Sequence, residues 1–266
     1  MFLNVLNVIG FMEYCENQNI GSYEVNFDDC GVYYEEKMGP NWWSYYFEPI
    51  ERHTWNTTLL SFLKTTNRRI NSDQIDQFVN SAEYKMDREK AFELISKYIK
   101  VKQNIKDEVQ SFIDDNFKED YIIGVHYRGT DKTTLMQGCA PPEASFVKYE
   151  KLFEAIESQI AIAPASYKIF IATDEAQLIG ILKDRYQEKL VFIDAMRSED
   201  GKPLHYGRKT SIDNYNYRQG KEALIDCLLL ARCDCLVKTS SNLNLCASYF
   251  NSKMPVYSLS DRLHDV

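Results

Sequence analysis

The sequence has no excess of positive charge. Its 31 basic and 39 acidic residues leave a net charge of −8, which excludes a nonspecific nucleic-acid binder and means that any anionic ligand must be held by a local group of residues. There is no apolar run of about 18 residues, so nothing reads as a transmembrane segment. The opening MFLNVLNVIGFM is apolar, but it carries Asn4 and Asn7 and lacks both a basic start and a small-residue cleavage site, which argues against a signal peptide. The chain is therefore expected to be cytoplasmic, with peripheral membrane association left open. Its seven cysteines have no paired metal-ligand spacing, so no metal is expected at them, and buried thiols in a reducing compartment fit. There is no internal repeat and no low-complexity tract.

What the chain does have is a globular composition. With 266 residues, 44% hydrophobic and 26% charged, it can form one large or two modest domains around a sizeable core. Residues 1–15 read as a buried helix already under way, so a first α/β domain over residues 1–118 is expected to be N-terminally incomplete. Residues 23–27 read as a strand. GPNWWSYYFEPI, residues 39–50, places five aromatics in six positions, broken only by Ser44. Two readings stand for it: side chains filling a core beneath a loop, or a platform on which Trp42, Trp43 and Tyr46 offer flat faces to a sugar ring. Residues 73–80 read as helical. From Asp87 to Phe117, Ile95, Tyr98, Ile99, Ile105, Val109, Phe112 and Ile113 recur largely at three- and four-residue steps, which predicts one long amphipathic helix leading into a second domain, residues 119–266.

The second domain alternates strand and helix. Short apolar runs over 121–127, 167–172, 190–193, 235–238 and 255–258 read as strands, with four helical stretches between them. That order implies right-handed crossovers and a parallel sheet, a Rossmann-like half. Residues 195–216 form the one long irregular segment, either a functional lid or a locally mobile loop, and carry His205, Arg208 and Lys209.

Three strand ends carry polar groups. YIIGVHYRGTDK, residues 121–132, is an apolar strand that stops at His126, Arg128, Gly129, Thr130, Asp131 and Lys132. Thr173 and Asp174 end the second strand, and KTSSN, residues 238–242, runs straight into a helix. In a parallel sheet these ends share one edge, where open α/β sheets bind ligands. Arg128 offers a planar fork of donors suited to phosphate oxygens. The hydroxyls and amides of the last stretch either cap the helix or meet a phosphate. Asp226 lies in an apolar helical run, IDCLLLA, where a carboxylate needs a partner. Arg218, Lys221 and Arg232 are candidates, and so is a purine edge with two N–H donors, as in guanine.

These segments resemble the motifs of the GDP-fucose-dependent fucosyltransferases that include the core α1,6-fucosyltransferases and the nodulation-factor fucosyltransferases. IIGVHYRGTDK resembles the first motif and YKIFIATDEAQLIGILKDRY the second. ALIDCLLLARCDCLVKTSSN is similar to the third, with Asp226 eight positions before Asp234 and Thr239 five positions after that. Gly129 stands where the core enzymes have a second arginine, and the first half is short and not recognisably theirs. GPNWWSYYFEPI resembles instead a stretch of bacterial polysaccharide or lipopolysaccharide transferases with the same nucleotide half.

The resemblance implies a glycosyltransferase-B type α/β fold, two Rossmann-like halves facing a cleft, and inverting, metal-independent transfer of fucose from GDP-fucose, the donor substrate, to a glycan acceptor. Arg128 would hold the β-phosphate, and His126 and Asp226 would recognise the guanine. Ser241 and Asn242 would donate to the phosphates, Asp174 would support the site, and Glu143 would be the base. A transferase of another GDP-sugar and a non-catalytic GDP- or glycan-binding module are the alternatives.

Overall fold

The computed structural model describes residues 1–21, 23–27, 31–52, 86–130, 147–201, 204 and 212–260. Its regular elements are α1 (Phe2–Asn17), β1 (Tyr23–Glu24), α2 (Trp43–Tyr46), β2 (Glu51–Arg52), α3 (Arg88–Tyr98), α4 (Gln103–Asn116), β3 (Tyr121–Tyr127), α5 (Tyr149–Ile160), β4 (Tyr167–Thr173), α6 (Ala176–Tyr186), β5 (Leu190–Val191), α7 (Tyr215–Leu230), β6 (Cys235–Lys238), α8 (Asn242–Phe250) and β7 (Val256–Ser258). The expected helix over residues 73–80 lies outside the described residues.

The five strands from β3 onward form one parallel sheet in the order β5-β4-β3-β6-β7. The chain steps outward from β3 through β4 to β5, then returns across β3 to place β6 and β7 on the other side. The direction reverses between β3 and β6, the position where such sheets open a crevice at the carboxyl ends of their strands. β3 and β4 are rich in β-branched and aromatic residues and are buried along most of their length, as central parallel strands must be. Ile123, Val125 and Tyr127 face the cluster formed with α5 and α6. Ile122, Phe170, Ala172 and Leu236 face the opposite cluster, under α7 and α8. Asp234 of the third motif works at the far end of the sheet: its Oδ2 accepts the Ile122 N–H at 2.7 Å and so opens the β3–β6 ladder.

Residues on both sides of 118 share one apolar cluster. α1 packs on α3 and α8, and α4 packs on α7. Arg88 ties α3 to the end of α8, donating to the carbonyls of Ser248, Asn251 and Met254. The parallel sheet of the C-terminal half is as expected. Among the described residues the other sheet is β1–β2, an antiparallel pair of two residues each.

Two expectations are corrected. The single helix from Asp87 to Phe117 is two, with extended backbone at Ile99 and Lys102 between them. There the Lys102 N–H donates to the Tyr46 carbonyl at 2.9 Å, the Glu48 N–H donates to Lys100 at 2.7 Å, and Val101 bridges Phe47. Pairing with the aromatic segment outweighs helical periodicity at that point.

The aromatic segment itself is core. Trp42, Trp43 and Tyr46 are 1%, 0% and 0% exposed, so none offers a face to a sugar, and the acceptor platform is withdrawn. Trp43 lies 4.3 Å from Phe47 and 5.6 Å from Phe27, centroid to centroid. Tyr46 stacks on Tyr217 of α7, and its hydroxyl donates to the Tyr217 carbonyl at 3.0 Å. Gly220 makes this approach possible, since a Cβ there would come within 2.3 Å of that hydroxyl. Trp43→Ala is expected to cost about 3–5 kcal/mol, the scale of a buried tryptophan deletion, read as a lowered urea midpoint with little change in slope.

Candidate functional site

The carboxyl ends of β3, β4 and β6 meet as expected, and backbone and side-chain hydrogen bonds lock them together. Past β3, the Arg128 N–H donates to Thr239 Oγ1 at 3.0 Å, while the Thr239 N–H donates to the His126 carbonyl at 3.1 Å. On the other flank Asp174, just past β4, accepts the Gly129 N–H on Oδ1 at 3.2 Å and the Thr130 hydroxyl on Oδ2 at 2.6 Å. Thr130 is wholly buried, so this carboxylate is the anchor of the turn. Arg128 is thus carried on backbone held from both sides, with Asp174 holding the turn that follows it.

Gly129 has a local reason to be glycine. The Glu175 carboxylate lies against it, and a Cβ would come within 1.9 Å of Glu175 Oε1 and 2.8 Å of the Tyr127 ring. The other oxygen, Oε2, accepts the Tyr149 hydroxyl at 2.6 Å, and burial raises the Glu175 carboxyl above its ordinary range. Gly129→Ala is expected to destabilise the protein by about 1–3 kcal/mol, as overpacking does, and Gly129→Ala with Glu175→Ala to recover most of it. Chemical denaturation of the two variants checks both statements.

His126 points to the α7/α8 side of the sheet and is 5% exposed. Burial, helped by the positive charges of Arg128 and Lys238, pushes its imidazole down to about 3, so the ring is neutral at physiological pH. Lys238 sits opposite His126 in the β3–β6 register, which puts a second cation beside Arg128 on the edge. Ser241 is the N-cap of α8, its hydroxyl accepting the Leu243 N–H at 3.2 Å, and Asn242 is the first residue of that helix. The capping reading is therefore realised, and it leaves the helix N-terminus on the same edge as Arg128.

Asp226 lies in α7, 8% exposed, with Oδ1 lacking any hydrogen-bond partner among the described residues. Two of the three cations proposed as partners go elsewhere, Arg218 to Glu222 and Lys221 to Glu108. The cation that acts on Asp226 is Arg197, which follows β5, and the Glu222 carboxylate opposes it. Arg197 donates to the Ala195 and Ile193 carbonyls at 3.1 and 2.8 Å and covers the Phe192 ring. Burial outweighs Arg197, and the Asp226 carboxyl is pushed up to about 8. The sequence held no signal for Arg197, because charges in a long irregular segment ordinarily read as solvated.

Glu143 lies outside the described residues, as do Asp131, Lys132, His205, Arg208 and Lys209. The described cysteines, Cys15, Cys227, Cys233, Cys235 and Cys246, are buried free thiols. Among the described residues no group of three or more His, Cys, Asp or Glu side chains is placed to hold a metal ion, and no helix is long and apolar enough to cross a membrane.

Comparison with known proteins bears on this arrangement. A family model described as Nodulation protein Z (NodZ) matches residues 14–262. Among solved structures, the fucosyltransferase NodZ from Bradyrhizobium aligns with a TM-score of 0.61 and 18% identity over 93% of this chain and 88% of that one. NodZ alpha-1,6-fucosyltransferase co-crystallized with GDP aligns with a TM-score of 0.59 and 17% identity over the same shares of the two chains, 93% and 88%. No curated protein matches the chain.

Proposed function

The chain belongs to the NodZ family of fucosyltransferases, and from that premise we propose that it transfers fucose from GDP-fucose to a glycan hydroxyl, with inversion and without a required metal ion. The observation that carries this reading is Asp226. A buried carboxylate with an unpartnered oxygen, on the face of the sheet toward which His126 points, lacks the donors that the N–H groups of guanine would supply.

The chemistry follows from the edge of the sheet. As the bond between the fucose anomeric carbon and the β-phosphate oxygen breaks, negative charge grows on the diphosphate. Arg128 supplies a fork for those oxygens, and the N-terminus of α8, with Ser241 and Asn242, supplies a partial positive charge. Asp174 keeps the turn that carries Arg128 in place. The acceptor oxygen attacks the anomeric carbon from the opposite side and gives its proton to a base, assigned to Glu143 on the family resemblance. With Trp42, Trp43 and Tyr46 in the core, the acceptor side is assigned to no residue.

Calorimetric titration of the full chain with GDP, UDP and ADP in the presence of a chelator tests the donor half of the proposal. Guanine-selective binding is expected, and binding of none of the three overturns it. A transfer assay with GDP-fucose, GDP-mannose and GDP-rhamnose then tests the sugar, and turnover of either competitor in preference to GDP-fucose reassigns the donor.

A further inference from the structure

One fully buried side chain beside the edge is not accounted for by any role above. Asn244, the third residue of α8, is 0% exposed and reaches back to the end of β3. Its Nδ2 donates to the Thr239 carbonyl and lies 2.9 Å from His126 Nδ1. A backbone carbonyl can only accept, so the atom facing both groups is the amide nitrogen and not the amide oxygen. One of its two N–H bonds goes to Thr239 and the other is directed at Nδ1. Nδ1 must then carry a lone pair, and the imidazole proton sits on Nε2.

We propose that Asn244 is a positioning residue that holds His126 as the neutral Nε2–H tautomer, so that the site presents a hydrogen-bond donor to an acceptor atom of the bound nucleotide. Thr239 makes the lock rigid. Its N–H donates to the His126 carbonyl within β3 and its hydroxyl oxygen accepts the Arg128 N–H just past the strand, so the carbonyl that orients Asn244 is fixed to the same strand as the histidine. Among the described residues Nε2 has no hydrogen-bond partner, and the Asn244 Oδ1 has none either. The amide is therefore oriented by its nitrogen alone. A ring fixed in this way can neither accept a proton on Nδ1 without losing Asn244 nor act as a base through Nε2, which makes His126 a recognition group and not a catalyst.

The proposal rests on reading this edge as the nucleotide site, and the experiment separates the two. Long-range proton–nitrogen correlation spectra of the 15N-labelled full chain report the tautomer of each of its four histidines, with His126 assigned through His126→Gln. The expected result for the unliganded wild type is a protonated Nε2 and a bare Nδ1; a protonated Nδ1 overturns the proposal whether or not GDP binds. Asn244→Asp presents an acceptor and is expected to draw the proton to Nδ1 at a pH where the ring is neutral. GDP affinity, measured under those conditions, should then fall about tenfold or more, the loss of one donated hydrogen bond. Unchanged GDP affinity in a variant whose proton has moved would also overturn it. Asn244→Leu, which removes the donor at similar volume, is the second variant, with both tautomers expected in its spectra. Absence of GDP binding to the wild type, with the Nε2–H tautomer observed, would count against the nucleotide reading of the edge and, with it, against the ligand half of this proposal.

Discussion

Arg128→Ala is expected to lower kcat/KM for GDP-fucose by about two to three orders of magnitude, the scale on which removing one preorganised charged donor acts on a transition state. The turn that carries Arg128 has its own supports: Thr239 holds the Arg128 N–H, and Asp174 holds Gly129 and Thr130. The substitution should therefore change charge more than shape. If the guanidinium acts on the leaving diphosphate, most of the loss appears in kcat, because charge on the phosphate is greater in the transition state than in the bound donor. Arg128→Lys should recover part of it, since the charge returns without the fork. Activity of the alanine variant within a few-fold of the wild type would remove Arg128 from the phosphate.

The second large effect concerns Asp226 and has a definite sign. Its carboxyl is pushed up to about 8 by burial, so in the empty site at neutral pH it is mostly protonated. Donors on a guanine ring favour the carboxylate, and GDP binding should release a proton below that value. GDP affinity is then expected to rise with pH, by up to tenfold per unit, and to level off above about 8, with a binding enthalpy that depends on the ionisation enthalpy of the buffer. Stability runs the other way. The folded carboxyl binds its proton more tightly than the unfolded one, whose ordinary value is 3.8, so this group's contribution to stability falls as pH rises from about 4 to about 8. Asp226→Asn should remove that decline while weakening GDP roughly 10- to 100-fold and UDP far less. Calorimetry in two buffers and thermal unfolding at several pH values check the pair of statements, and equal weakening of GDP and UDP would sink the guanine assignment.

The sheet was legible because its strands are short apolar runs and its helices amphipathic, so Tyr121–Tyr127 and Cys235–Lys238 stand where the pattern put them. The convergence of His126, Arg128, Asp174 and Ser241 on one edge followed from parallel topology alone. What escaped was set by contacts between distant segments. No local pattern could break the helix at residues 99–102, because the break is made by the backbone of residues 46–48. The aromatic run has the same composition whether it fills a core or faces a sugar, and α7 decides between the two through Gly220 and Tyr217. Asn244 and Arg197 look ordinary in sequence, and they acquire roles only through a ring and a carboxylate far away along the chain.

The packing of α1 against α8 has a consequence for how this protein is made. The helix spanning residues 2–17 leaves the ribosome more than 200 residues before its partner at 242–250; the helix at 88–98 can cover part of it sooner, but its packing stays incomplete until 242–250 emerge. A core assembled from such distant segments pays its loop-closure entropy before it gains contacts, so folding should be slow for the chain's size. The core around α1 is therefore expected to close only once residues 242–250 are available, late in the synthesis of the chain.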